Sequence, residues 1–160
     1  MLLYPKDIKE KLEFNKIIDQ IKKECLSTPS KEYFDQIEVL SDLERITSLL
    51  LETDEYKKAL LRNEHFPLSA FEPISDDVVL LRKEGYVLEI DSIKNIYRIV
   101  SIGLELTKYF SDPEKIKFNP LVSTIISSII IDTSLNREID RILDEEGDVR
   151  PNASENLLKI

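Results

Sequence analysis

At 160 residues the chain has room for one domain, with a core that can remove roughly two-thirds of its unfolded surface from water. Hydrophobic residues make up 42% and charged residues 33%, which excludes a disordered composition. A net charge of −9, from 22 basic and 31 acidic residues, argues against tight autonomous binding to phosphate backbones.

The charge is uneven along the chain. Residues 1–31 hold seven lysines against five acids, so Lys6, Lys9, Lys11 and Lys16 are the candidates for weak, salt-sensitive phosphate contact. Residues 132–155 hold eight acids against three arginines. Both stretches read first as solvated helix faces.

Helical periodicity dominates from the start. In "FNKIIDQIKKECL", Phe14, Ile17, Ile18, Ile21 and Cys25 recur every three or four residues and predict one buried face. "SDLE" announces the next helix, with Ser41 as N-cap and Glu44 completing a capping box. That helix is expected to reach about Arg62, with Ile46, Leu49, Thr53, Tyr56 and Leu60 turned inward. Residues 64–75 form a loop punctuated by Pro67 and Pro73, and Phe66, Leu68 and Phe71 should pack it down. "DDVVLLRKEG" is a short helix ending at Gly85 as its C′ residue.

From Asp91 to about Phe110 runs a helix of different character. Lys94, Arg98, Ser101, Glu105 and Lys108 make one narrow polar stripe, and Ile93, Ile96, Tyr97, Ile99, Val100, Ile102, Leu104 and Leu106 fill the rest. Such a helix is covered on most sides and is expected at the centre. In 120–131, Leu121, Ile125 and Ile129 and also Val122, Ile126 and Ile130 repeat every four residues, which favours helix over strand despite the β-branching. Residues 134–147 form an amphipathic helix with Leu135, Ile139, Ile142 and Leu143 inward, closing at Gly147. A further helix opens at Asn152, capped with Glu155 three places on, and its apolar stripe of Leu157, Leu158 and Ile160 has no room to continue. The whole reads as all-α, one helical domain over 1–160, with no internal repeat.

The sequence offers no catalytic, cofactor-binding or metal-binding residues, and DNA-contact residues cannot be assigned from it. His65 is the sole histidine and lies just past a helix C-terminus, where an imidazole is favourable without any catalytic role. Cys25, the only cysteine, sits on the apolar stripe of Ile21 and reads as inert core; it permits no internal disulfide. "DEEGDV" lacks the alternating oxygen ligands and the terminal Glu of a calcium loop. Gly85, Gly103 and Gly147 cannot build a phosphate-binding G-x-x-x-x-G-K-[ST] loop, and there is no H-E-x-x-H. Asn152 falls in a glycosylation-type "NAS" but reads as a helix cap. With no signal-peptide pattern and no membrane-length apolar run, the expected compartment is the cytoplasm.

The stretch 137–160, "REIDRILDEEGDVRPNASENLLKI", resembles a segment of the bacterial MutS-like ATPases of the second class, the recombination-control and ribosome-rescue branch of that family. The family pattern there is I-D-x-x-x-D-x-x-G-x-[VI]-x-[DP]-x-A-S-x-x-L-x-x-I. Ile139, Asp140, Asp144, Gly147, Val149, Ala153, Ser154, Leu157 and Ile160 fall on it. "YPKDIKEKLEFNKIIDQIKKECLS" (4–27), "KEYFDQI" and "FPLSAF" (66–71) look like the opening of such a protein, so the resemblance covers essentially the whole chain. Ser30 departs from it, standing where the family usually has glycine, and so does "EPISDDV" after Phe71.

The resemblance implies an N-terminal piece of a helical core region, with 152–160 as the base of a truncated lever helix running to a clamp. It implies a parent with an ABC-type ATPase domain using ATP and magnesium, in some members a Smr nuclease domain, and dimerisation through the ATPase. Branched DNA or collided ribosomes are the implied targets of the parent. The piece itself would be non-catalytic, bind no cofactor, and have the remainder of its own chain as its main partner. The rival reading is a stand-alone helical adaptor that docks a partner protein through the stripe at its end.

Overall fold

The computed structural model describes residues 7–144, 148–154 and 158. The fold is all-α. Nine helices lie among the described residues, and β pairing there is confined to an isolated antiparallel bridge between Leu143 and Val149. The chain divides into two compact units.

The first unit takes residues 1–64 and 69–73. Its helices are α1 (Ile8–Lys11), α2 (Phe14–Glu24), α3 (Thr28–Asp35) and α4 (Leu43–Leu61). Glu13 separates α1 from α2 with a left-handed backbone, φ 53°, a conformation that disfavours any residue with a Cβ. Lys9 reaches Ile37 O at 3.4 Å, and Lys22 pairs with Asp35 across α2 and α3. Ser30 uses its hydroxyl: it lies 2.9 Å from that of the buried Ser27 at the start of α3.

The second unit takes residues 65–68 and 74–160. It contains α5 (Ser75–Leu80), α6 (Ile90–Tyr109), α7 (Pro113–Phe118), α8 (Pro120–Ser127) and α9 (Thr133–Ile142). As its periodicity required, α6 is the centre, packed by α9 and α8. Ile102, Leu106 and Phe110 form its buried line, and Ile139 and Leu143 supply that of α9. Gly103 is where α6 is approached most closely: a Cβ there would stand 2.6 Å from Ile131 Cδ1. Phe66 packs its loop down as expected, edge-on to Tyr109 and Phe110 at 5.6 and 5.2 Å between ring centroids.

Aspartates cap three of the longer or Pro-led helices. Asp42 accepts from the N–H groups of Glu44 and Arg45 at 2.9 and 3.2 Å, Asp112 from Glu114 at 2.9 Å, and Asp132 from Ser134 at 2.8 Å. The Ser134 hydroxyl and then its backbone N–H hold the Asp132 carboxyl below the usual range. The expected Ser41 cap is therefore displaced by one residue, to a carboxylate whose charge also suits the positive end of the helix.

Several expected faces are narrower or rotated. On α2, Phe14 and Ile18 are half-buried while Ile17 and Ile21 stay exposed, and Cys25 lies beyond the helix, half-buried, its Sγ 3.5 Å from Ile21 O. On α4, Ile46 and Leu49 turn inward as expected, but the face then passes to Glu55 and Ala59, leaving Thr53, Tyr56 and Leu60 exposed. α5 ends at Leu80, short of Gly85, which does adopt the left-handed φ of 77° in the turn that follows. α8 stops at Ser127: Ser127 and Ser128 bond back to Thr124 O and Ile125 O, and the last turn tightens to i→i−3 bonds. Val122 and Ile126 face in, while Leu121, Ile125, Ile129 and Ile130 are exposed. α9 closes at Ile142, five residues before the expected Gly147, which lies outside the described residues with 145, 146, Glu155, Leu157 and Ile160. Asn152 is in a turn, and Leu158 N–H donates to Ser154 O at 3.2 Å.

Candidate functional site

Where α6 and α9 meet, four polar side chains form a line from the interior to the surface. Asn136 is buried beside Ile139 because α9 turns positions 136, 139 and 143 towards α6. Its amide Nδ2 donates to Ser101 Oγ at 2.8 Å. Tyr97 lies one turn before Ser101 on α6, and its phenol is influenced by both Ser101 and the exposed Asp140 carboxylate. Asn136 Oδ1 makes no hydrogen bond, which costs about 1–3 kcal/mol at a buried acceptor.

The Tyr97 phenol is held above its ordinary value. Donation to Asp140 is the main cause, followed by burial and the charge of that carboxylate, with Ser101 acting in the opposite sense.

The line continues into the segment after α9. The last carbonyls of a helix have no partners within it, and here Arg150 supplies them. Its Nε–H donates to both Asp140 O, at 2.9 Å, and Leu143 O, at 2.7 Å, and its backbone N–H donates to Ile142 O at 2.8 Å. The guanidinium also brings positive charge to the negative end of the helix. Asp144 N–H donates to Asp148 O at 2.9 Å, and Asp144 Oδ1 accepts from Asp148 N–H at 2.8 Å. Asp140, Asp144 and Val149 of the family-type pattern thus have distinct tasks: raising the ionisation of Tyr97, closing the turn, and bridging to Leu143.

Of the residues weighed from the sequence, Ser101 leaves the outward stripe and joins this line, and Asp140 joins it from the tail motif. His65 is exposed in its loop and takes no part. Tyr97, read as apolar, and Asn136 and Arg150 were missed. Asn136 could have been found from its three- and seven-residue spacing to Ile139 and Leu143. In the first unit, a hollow of about 360 Å³ is walled by Phe14, Ile18 and Phe34 and rimmed by Lys9, Asp19 and Asp35. Among the described residues no group of three or more His, Cys, Asp or Glu could hold a metal ion, and no helix is long and apolar enough to cross a membrane.

The chain is similar in sequence to proteins of the MutS type. Compared with curated proteins, it is 24% identical over 150 residues to the Endonuclease MutS2 of Alkaliphilus oremlandii, covering 93% of this chain and 19% of that protein. It is 26% identical over 147 residues to the Endonuclease MutS2 of Clostridioides difficile, covering 89% and 18%, and 23% identical over 153 residues to that of Lactobacillus johnsonii, covering 94% and 19%. The resemblance read from the sequence is borne out: the chain is MutS2-like over nearly its whole length. It spans about a fifth of the length of the curated relatives it matches. No family model and no solved structure matches it.

Proposed function

We propose that the chain serves as a helical core module of a MutS2-type protein, acting by transmitting movement and carrying out no chemistry of its own. In this reading it lies in the N-terminal part of the parent, in the cytoplasm. The parent's ATPase, with its ATP and magnesium, and any nuclease domain act elsewhere, on branched DNA or ribosomes, as a homodimer. The observation that carries the reading is the Asn136–Ser101 hydrogen bond between α9 and α6, continued by Arg150, which joins the end of α9 to residues 148–150. A core helix linked through α9 to the segment that follows it suits a part that passes on displacement.

The test is an assay of this chain alone with magnesium, ATP and branched DNA. Absence of both cleavage and ATP hydrolysis is expected, with binding that is weak and lost as salt rises, as a net charge of −9 dictates. Turnover, or tight binding in physiological salt, contradicts the reading.

A further inference from the structure

We propose that α4 is a docking face for a second copy of this chain. Two α4 helices lie antiparallel, Leu51 against Leu61 and Asp54 against Lys58, each pairing made twice about a two-fold axis. This contact goes beyond the transmitting-module reading and does not depend on it.

A helix draws most of its stability from packing an apolar face. In the first unit α1 packs on α2 and α2 on α3, and α4 makes no comparable packing with any of them. Glu55 and Ala59 form the buried line of α4. The face beside that line leaves Leu50, Leu51 and Leu61 64, 54 and 75% exposed. Asp54 and Lys58 stand between these leucines, their side chains also open to solvent.

The charges on this face say what covers it. Leu51, Asp54, Lys58 and Leu61 follow one another at three, four and three residues, the spacing of a coiled-coil seam and the same when read from either end. Reversing the direction of reading exchanges Leu51 with Leu61 and Asp54 with Lys58, so apolar meets apolar and acid meets base. A parallel, in-register pair sets Asp54 against Asp54 and Lys58 against Lys58, and like charges so placed repel. The face is therefore complementary to itself in one direction only, which is the requirement of a two-fold contact between identical chains. In the single chain Lys58 Nζ lies 2.6 Å from Asp54 Oδ2. An exposed pair of this kind contributes little, so little is lost when each side chain turns to the partner helix instead. Leu50 flanks the seam and widens its apolar part. The overlap is about 15 Å of each helix, which places the contact among weak, reversible ones.

Sedimentation equilibrium of the whole chain, taken up to about 1 mM, tests this together with charge reversals. The chain should pass reversibly from monomer to dimer and no further, because a two-fold contact closes on itself. D54K or K58D alone sets like charges against each other at both crossings and should weaken dimerisation at least about tenfold. Mixing those two variants, or combining both changes in one chain, restores opposite charges at both crossings. Either should recover the dimer to within about threefold of the original. Leu61→Ser, which touches no charge, should weaken the dimer at least about fivefold. Circular dichroism of each variant separates loss of the dimer from loss of the fold. A chain that stays monomeric throughout, a dimer indifferent to the single reversals, or one that the mixture fails to restore overturns the proposal. None of these outcomes touches the core-module reading, which the activity assay of the chain decides.

Discussion

Asp140 holds the ionisation of the Tyr97 phenol above its ordinary value, so the folded chain keeps that proton more tightly than the unfolded chain does. Below pH of about 10 both states keep it and the interaction contributes fully. As pH rises further the unfolded state releases its proton first, and stability falls until the folded phenol has ionised too. Tyr97→Phe removes this contribution. The expected outcome is a neutral-pH loss of no more than about 1 kcal/mol and a shallower decline above pH of about 10, measured by denaturant unfolding across the alkaline range. Asn136 shows the same economy at the other end of the line, satisfying its donor at Ser101 and leaving its acceptor unbonded. None of this was visible in apolar periodicity, which treats Tyr97 as one more hydrophobic position and is blind to which polar residue lies opposite.

At the scale of elements, three of the described helix starts, those of α4, α7 and α9, are set by carboxylates. Asp42 takes two backbone N–H groups of α4, whereas Ser41 stands outside the helix. Asp42→Ala should therefore cost about 1 kcal/mol and Ser41→Ala only a few tenths, compared by thermal unfolding; equal losses would restore the serine cap. The capping signal was legible, but "SD" offers two acceptors in succession, and spacing cannot choose between them. Helix existence and the centrality of α6 were also legible, because a 20-residue helix with one polar stripe has few alternatives. Helix ends were not. α8 looked four residues longer because its isoleucines keep the right spacing, while Ser127 and Ser128 bond carbonyls that further turns would need. α9 looked longer because nothing in "DEEGDVR" announces that Arg150 will close it from eight residues away. The rotated inner face of α4 has a simpler cause: Glu55 and Ala59 are buried there in place of the larger Tyr56 and Leu60, a choice made by packing within the fold.

Taken as a molecule, the chain joins an acidic surface to helices that leave many aliphatic side chains exposed, Leu43, Leu50 and Leu61 of α4 and Ile125, Ile129 and Ile130 at α8 among them. It aligns with MutS2 proteins over about nine-tenths of its own length and about a fifth of theirs. The family-type tail motif made that likeness legible from sequence, and the structure adds what the motif residues do. The central claim, that the chain is a transmitting part of a MutS2-type protein, is tested most directly by substitution. This chain would replace the matched 147 residues of the Clostridioides difficile Endonuclease MutS2, and DNA cleavage by the chimera would be measured against the parent. The account predicts that the chimera folds and cleaves. A chimera that folds and does not cleave would contradict it.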